Sequence, residues 1–145
     1  SGVIKVKFVD TAHEITKGGK PLAQDPYFAA RMALVEIDLE ALKTTNLRIL
    51  VQADSGAAPG PESSMLKIKG TVIRQEINDL SRRALGPMAL PFISEALDDG
   101  YNEAPIGPDY ANALASDYFN NRKLSIFAGS NEIQRGIISK TKLGL

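Results

Sequence analysis

Residues 26–54 read PYFAARMALVEIDLEALKTTNLRILVQAD, and residues 62–85 read ESSMLKIKGTVIRQEINDLSRRAL. In the first stretch, apolar residues recur mostly at intervals of four and three: Phe28, Met32, Val35, Leu39, Leu42, Ile49 and Ala53. In the second, the same spacing joins Leu66, Gly70, Ile73, Ile77, Leu80 and Ala84. This periodicity predicts two long amphipathic helices that pack along one apolar face each.

The ends of both helices carry local signals. Asp25-Pro26 combines an acidic N-cap with proline at the first helical position, and Gly86-Pro87 ends the second helix. Residues 55–61, SGAAPGP, break the chain between them, so we predict an antiparallel hairpin. Gly70 lies on the apolar line and predicts a close contact between helices, since glycine disfavours a helix.

The remaining chain is also mainly helical in pattern. We predict irregular chain over 87–109 with a helical turn near Phe92–Leu97, then a helix opened by Pro108. A last helix is predicted from Ser130 to about Lys142, with Ile133, Ile137 and Ile138 facing inward. Val3–Thr16 is a candidate short helix that ends before Gly18-Gly19. Together these elements predict an all-α, up-and-down four-helix bundle in a single domain, 1–145.

Composition excludes several classes of protein. Lys and Arg total 17 and Asp and Glu total 17, so the formal net charge of zero argues against nucleic acid as the main partner. The chain has no Cys and one His, His13, which leaves no residues for a cysteine nucleophile or a histidine-pair metal site, and no metal is expected. No apolar run is long enough to span a membrane.

Spacing alone indicates no catalytic centre. His13 has no carboxylate at a diagnostic distance in the sequence, and Asp98-Asp99 and Asp38/Glu40 are most simply solvated charges. The glycines form neither a GxGxxG pattern nor a P-loop, so they predict no nucleotide cradle.

Residues 118–145 read YFNNRKLSIFAGSNEIQRGIISKTKLGL. The segment Gly129–Arg135, followed by Ile137-Ile138 and Leu143-Gly144, resembles the C-terminal signature of the acyl-CoA dehydrogenase family. Upstream, Gly19-Lys20-Pro21-Leu22 is similar to the turn before the family's first long helix. Gly60–Lys67 resembles the start of its second long helix, and Ala84–Pro87 resembles that helix's glycine-containing end. The resemblance covers nearly the whole chain.

The resemblance implies that this chain is the C-terminal helical domain of a longer enzyme, whose N-terminal helical and middle β domains lie outside it. Such enzymes are FAD-dependent oxidoreductases of fatty acid metabolism that dehydrogenate acyl-CoA thioesters. The implied partners are an acyl-CoA substrate, electron-transfer flavoprotein and further copies of the chain, as a dimer or tetramer. A bacterial-type cytoplasmic location is expected, and the fragment alone is expected to be inactive.

The resemblance also implies site residues. It assigns FAD contacts to Gly129, Ser130, Asn131 and Glu132, although Ser130 and Glu132 also fit plain roles as an N-cap and a first-turn acid. Arg83 aligns near the family's Gln before the glycine-containing helix end, and it is assigned to the cofactor as a residue that can still meet phosphate.

Three departures from the family pattern bear on chemistry. The usual catalytic Glu position holds Ala128, so no catalytic residue is assigned here and the base is expected upstream of this chain. Ile15 and Gly18 replace an Arg and a Phe of the family's turn. These losses leave an alternative open: a catalytically inactive, dehydrogenase-like bundle that serves as an oligomerisation or binding module. A stand-alone four-helix bundle is a third interpretation.

Association is expected from residues off the two main apolar lines. These additional apolar residues are Leu34, Ile37, Ala41, Met65 and Val72. A neighbouring helix of the same chain is the other explanation for them.

Overall fold

A computed structural model describes residues 12–56 and 60–145. In this part of the chain, four helices have eight or more residues: α1 (Pro26–Asp54), α2 (Glu62–Leu85), α3 (Ala111–Asn120) and α4 (Asn131–Ile138). The strands are two residues each, β1 (Thr16–Lys17) and β2 (Lys20–Pro21). The predicted all-α fold class is therefore confirmed.

The bounds of the two long helices agree with the sequence signals. Asp25 caps α1, because its Oδ1 accepts hydrogen bonds from the backbone N–H groups of Tyr27 and Phe28 at 3.1 and 3.0 Å. Helix α1 has 29 residues, which makes it about 43 Å long. Paired residues on α1 and α2 come closer in sequence toward the connection, from a separation of 45 for Arg31–Glu76 to 31 for Asp38–Lys69. This is the pattern of an antiparallel hairpin.

The chain divides into two compact units, each containing part of both long helices. The first unit comprises the described residues of 1–33 together with Gln75–Asn121. Its core groups Leu85, Ala89 and Ala111, with Ile15, Met88, Tyr110 and Leu114 packed against them. Along α2 the predicted line is buried here at Ile77, Leu80 and Ala84. The prediction of a single domain stays a prediction.

Residues 16–21 of the first unit form a small hairpin that the sequence analysis missed. β1 pairs antiparallel with β2, with Thr16 opposite Pro21 and Lys17 opposite Lys20. Gly18 and Gly19 both have positive φ, +62° and +77°, as a type I′ turn requires. The predicted helix over Val3–Thr16 lies largely outside the described residues; of its described part, residues 12–14 are helical and Thr16 is in β1.

The segment between α2 and α3 is mostly irregular, as predicted, with 3₁₀ turns at Gly86–Ala89 and Ser94–Leu97. The predicted helix start at Pro108 was three residues early. The Pro108 carbonyl accepts a hydrogen bond from the Ala111 N–H at 2.8 Å, and α3 begins only at Ala111.

The second unit comprises the described residues of Leu34–Arg74 with Arg122–Leu145. Here α4 lies beside the first half of α2, and its chain continues as a π-helical turn at Ser139–Leu143. Lys142 Nζ lies 2.8 Å from Glu62 Oε1, at the start of α2. The prediction that Ile133 and Ile137 face inward is wrong: their side chains are 60% and 42% exposed. Ile138 is half-buried, and polar contacts between α4 and α2 join Asn131 to Lys67 and Thr71.

Candidate functional site

The start of α4 carries the segment that the sequence resemblance predicts to contact FAD. Ala128 and Gly129 turn the chain with φ of +57° and +81°, and Ser130 then caps the helix. Ser130 Oγ accepts a hydrogen bond from the Ile133 N–H at 3.3 Å. Gln134 Nε2 donates back to the Ala128 carbonyl oxygen at 3.4 Å. The turn is thus closed by contacts from the first two turns of its own helix, as an N-cap predicts.

Asn131 is the buried residue of this segment, with 6% exposure. Its Oδ1 accepts a hydrogen bond from Lys67 Nζ at 2.8 Å, and its Nδ2 donates to Thr71 Oγ1 at 3.2 Å. Thr71 Oγ1 lies 2.8 Å from the Ile68 carbonyl oxygen, to which it donates, so its lone pairs are free for Asn131. Asn131 therefore fastens the start of α4 to α2.

Glu132 is exposed and ionises more readily than an ordinary glutamate. Its pKa lies below 4.5, because its own backbone N–H and the Ser130 hydroxyl donate hydrogen bonds to the carboxylate, and Arg135 and Lys67 add positive charge nearby. A carboxylate at a helix N-terminus also meets the favourable end of the helix dipole. Glu132 therefore gives this end of α4 a fixed negative charge.

Arg83 lies in the first unit, where a cavity of about 500 Å³ opens between α1 and the end of α2. Three arginines line it with aromatic and apolar residues; the lining set is Tyr27, Phe28, Arg31, Arg82, Arg83, Gly86, Pro87 and Leu90. The Arg82 guanidinium lies 4.7 Å from the centre of the Tyr118 ring. Such a mixture of cations and apolar surface suits an anionic, partly aromatic ligand.

Asp79 already compensates part of this positive charge. Its carboxylate lies 2.6 Å from Arg83 Nε, 3.3 Å from an Arg82 nitrogen and 3.4 Å from Arg31 Nη2. Burial raises the pKa of Asp79, but the hydrogen bonds from Arg83, Arg82 and Arg31 lower it by more, so it lies below 3.8. Arg31 is also bound by Glu76, which raises the pKa of the guanidinium. Arg83, 57% exposed, retains access to solvent.

The predicted site residues fall into separate places. Gly129, Ser130, Asn131 and Glu132 share the start of α4 in the second unit, whereas Arg83 belongs to the arginine cavity of the first unit. Sequence reasoning did not single out Thr71 or Asp79. Both lie four or eight residues from other polar residues of α2. The sequence does not show which side chains on other helices they contact, and only the packing does. The sequence signal for Lys67 is only its place at the end of the Gly60–Lys67 helix start.

Other candidates carry little chemistry. His13 is exposed, as are Asp98 and Asp99. Among the described residues, no group of three or more His, Cys, Asp or Glu side chains is arranged to hold a metal ion. None of the helices in residues 12–56 and 60–145 is long and apolar enough to cross a membrane.

Comparison with known proteins identifies the class. The family model for the acyl-CoA dehydrogenase C-terminal domain matches residues 6–143. This chain therefore belongs to the acyl-CoA dehydrogenase C-terminal domain family. A search of curated protein sequences gave no significant match.

Two solved structures share the fold. The ChsE4–ChsE5 complex from Mycobacterium tuberculosis matches with a TM-score of 0.74 at 24% identity, over 99% of this chain and 35% of that one. The FAD complex of PigA matches with a TM-score of 0.72 at 21% identity, over 99% of this chain and 33% of that one. The chain thus spans about a third of the length of these proteins.

Proposed function

We propose that this chain is the C-terminal domain of an FAD-dependent acyl-CoA dehydrogenase, where it contributes flavin contacts and subunit assembly. The observation that carries the proposal is the start of α4: the family's signature residues form a capped turn whose buried member, Asn131, is fastened to Lys67 and Thr71. A partly exposed turn that is held by hydrogen bonds is what a cofactor contact needs.

Each of the two places has a charge that favours a different kind of ligand group. Glu132 is ionised at neutral pH, so the start of α4 favours hydrogen-bond donors of the cofactor, such as sugar hydroxyls or a ring N–H, over a phosphate. In the first unit, the exposed part of Arg83, beside Arg31 and Arg82, is suited to a phosphate group. FAD supplies hydride acceptance when bound, and this chain's residues hold and orient it.

Proton abstraction is assigned outside this chain. Ala128, at the position where the family usually has its Glu, has no ionisable group. The neighbouring carboxylate, Glu132, has a lowered pKa, which makes it a weak base. The isolated chain is accordingly expected to turn over no acyl-CoA.

The remaining roles follow from the family. The full-length parent is proposed to act on acyl-CoA thioesters, to pass electrons to electron-transfer flavoprotein, to form a dimer or tetramer, and to work in the cytoplasm. Exposed apolar residues on α1, including Leu34 and Ile37, support association.

An anaerobic titration of the full-length parent with acyl-CoAs tests the proposal. Loss of the oxidised-flavin absorbance on addition of substrate is expected, because the reaction reduces the flavin. The 145-residue chain is the matched control and should leave the substrate unchanged. A purified parent that contains no flavin and takes up none would refute the proposal.

A catalytically inactive binding module is the second candidate, and Ala128 is the observation that favours it. It predicts a parent that assembles normally but whose bound flavin, if any, is not reduced by acyl-CoAs of any chain length. The same titration therefore separates the two candidates.

A further inference from the structure

Lys67 and Lys69, the lysines of α2, have different partners. Lys67 Nζ donates to Asn131 Oδ1 at 2.8 Å, and Asn131 is buried. Lys69, two residues further along the same helix, instead pairs with Asp38 across a largely exposed surface at 2.9 Å. A charge-assisted hydrogen bond to a buried amide is worth more than an exposed ion pair.

The contact with Lys67 also sets which way the Asn131 amide faces. An ammonium group has only donors, so it requires the amide oxygen on its side. Thr71 Oγ1 lies 3.2 Å from the amide nitrogen, which donates to it, and 3.3 Å from the amide oxygen, while it donates to the Ile68 carbonyl oxygen at 2.8 Å. If the amide were reversed, two donors would face each other at Lys67. The cation thus selects one orientation of the Asn131 side chain.

Asn131 is the first residue of α4, so anchoring its side chain restrains the backbone of the residues next to it. Ser130, which caps the helix, precedes Asn131, and Glu132 follows it. The opposite end of the segment is fixed separately, by the ion pair of Lys142 with Glu62. Since Ile133 and Ile137 are exposed, apolar packing within the chain contributes little to holding this face of α4.

We propose that Lys67 is a positioning residue: through Asn131 it fixes the start of α4 and so sets the geometry of residues 128–132. Its consequence for the cofactor rests on the proposed function, because these are the residues assigned to flavin contact. Lys67 itself is assigned no contact with substrate or flavin.

Hydrogen–deuterium exchange of the full chain tests the positioning without any flavin. Lys67→Met should raise exchange by about tenfold at the N–H groups of Ile133 and Gln134, which are bonded to Ser130, since the opening of this turn loses a charge-assisted bond. Exchange in α3 should not change. Lys67→Arg should restore protection, because a guanidinium also donates to the amide oxygen. Lys69→Met is the matched control and should resemble the wild type. Equal exchange in the Lys67→Met and Lys69→Met variants would overturn the proposal.

A double-mutant cycle guards against a general loss of stability. If Lys67 acts through Asn131, then Lys67→Met should add little to the exchange already caused by Asn131→Ala. Independent, additive effects would contradict the proposal. Should Lys67→Met fail to fold, Lys67→Gln, which keeps a neutral donor, takes its place in the same cycle with an intermediate effect expected.

Flavin binding by the full-length parent gives the functional measurement. Lys67→Met should weaken FAD binding by about tenfold and alter the visible flavin spectrum, while Lys67→Arg and Lys69→Met should stay close to the wild type. Unchanged FAD binding in Lys67→Met would refute the link to the cofactor. A wild-type parent without flavin would refute the proposed function instead, and the exchange data would still decide whether Lys67 positions the turn.

Discussion

Ala128 combines two properties that matter at the residue scale. The family resemblance predicts the catalytic carboxylate at its position, and its φ is +57°. Non-glycine residues in the left-handed region are strained by roughly 1–2 kcal/mol. The turn before α4 therefore holds a strained backbone position with no reactive side chain.

Replacing Ala128 by glycine should relieve this strain. We expect Ala128→Gly to stabilise the chain by about 1 kcal/mol in urea unfolding, after allowance for the greater freedom of glycine in the unfolded state. Ala113→Gly, in the right-handed helix α3, is the control and should destabilise by about 1 kcal/mol. Equal losses of stability in both variants would contradict the role of the backbone angle.

At the scale of the helices, Gly70 lacks the close helix contact that its position in the sequence predicts. Its place on the apolar line of α2 predicted a close helix contact. In the structure, a Cβ added there would meet only Leu42 Cδ2, at 4.0 Å, which is an ordinary van der Waals distance. Space for a methyl group is present, so tight packing does not explain this glycine.

Gly70→Ala should accordingly stabilise α2. The gain expected in thermal or urea unfolding is about 1 kcal/mol, the difference in helix propensity between the two residues. Gly129→Ala is the contrasting variant and should destabilise, because Gly129 has φ +81° and its added Cβ would lie 2.7 Å from Gln134 Nε2. A loss of stability in Gly70→Ala would show a tighter helix contact than the structure has.

The Asp79 cluster ties α1 to α2 within the first unit. The Asp79 side chain is 15% exposed and contacts three arginines, whereas Asp38 forms an exposed pair with Lys69. Asp79→Ala should cost about 2–4 kcal/mol, since it leaves partly buried guanidinium groups without their carboxylate. Asp38→Ala, the control, should cost less than about 1 kcal/mol.

The same carboxylate gives a pH dependence with a definite sign. Because the pKa of Asp79 is lowered below 3.8 by folding, the stability it supplies is present above that value and is lost as the pH falls through the folded-state pKa. Unfolding measured from pH 7 down to pH 2 should show a smaller acid-induced loss in Asp79→Ala than in the wild type. Parallel pH curves would contradict this assignment.

Apolar exposure is the main feature at the scale of the whole molecule. In the second unit Leu34 and Ile37 are 64% and 65% exposed, and Met65 and Val72 are also exposed. Surfaces of this kind usually mark contacts with another chain. Assembly into a dimer or tetramer is expected from the sequence and stays a prediction.

Sedimentation equilibrium tests the association directly. The chain, or its full-length parent, should have the mass of a dimer or tetramer at micromolar concentration. The pair Leu34→Glu and Ile37→Glu should shift it toward monomer, because burying the new charges is unfavourable. Lys43→Glu, at an exposed position about 180° around α1 from Leu34, is the control. A wild type that remains monomeric at high concentration would contradict a self-sufficient interface.

The sequence by itself determined the elements. Periodicity and local caps gave the bounds of α1 and α2, since Asp25, Pro26 and Gly86 act on backbone groups within a few residues of themselves. The signature at Gly129–Arg135 gave the family. The small hairpin was missed although Gly18-Gly19 is a turn signal, because strands of two residues leave no alternating pattern to detect.

Only the tertiary structure decided which faces meet. The bond between Lys67 and Asn131 joins residues 64 positions apart, and the Asp79 cluster draws Arg31 from 48 positions away. The outward orientation of Ile133 and the open space beside Gly70 were likewise beyond the sequence. Helical periodicity defines a face of each helix but not its neighbour, and the neighbour determines whether a polar group is buried, paired or free to bind.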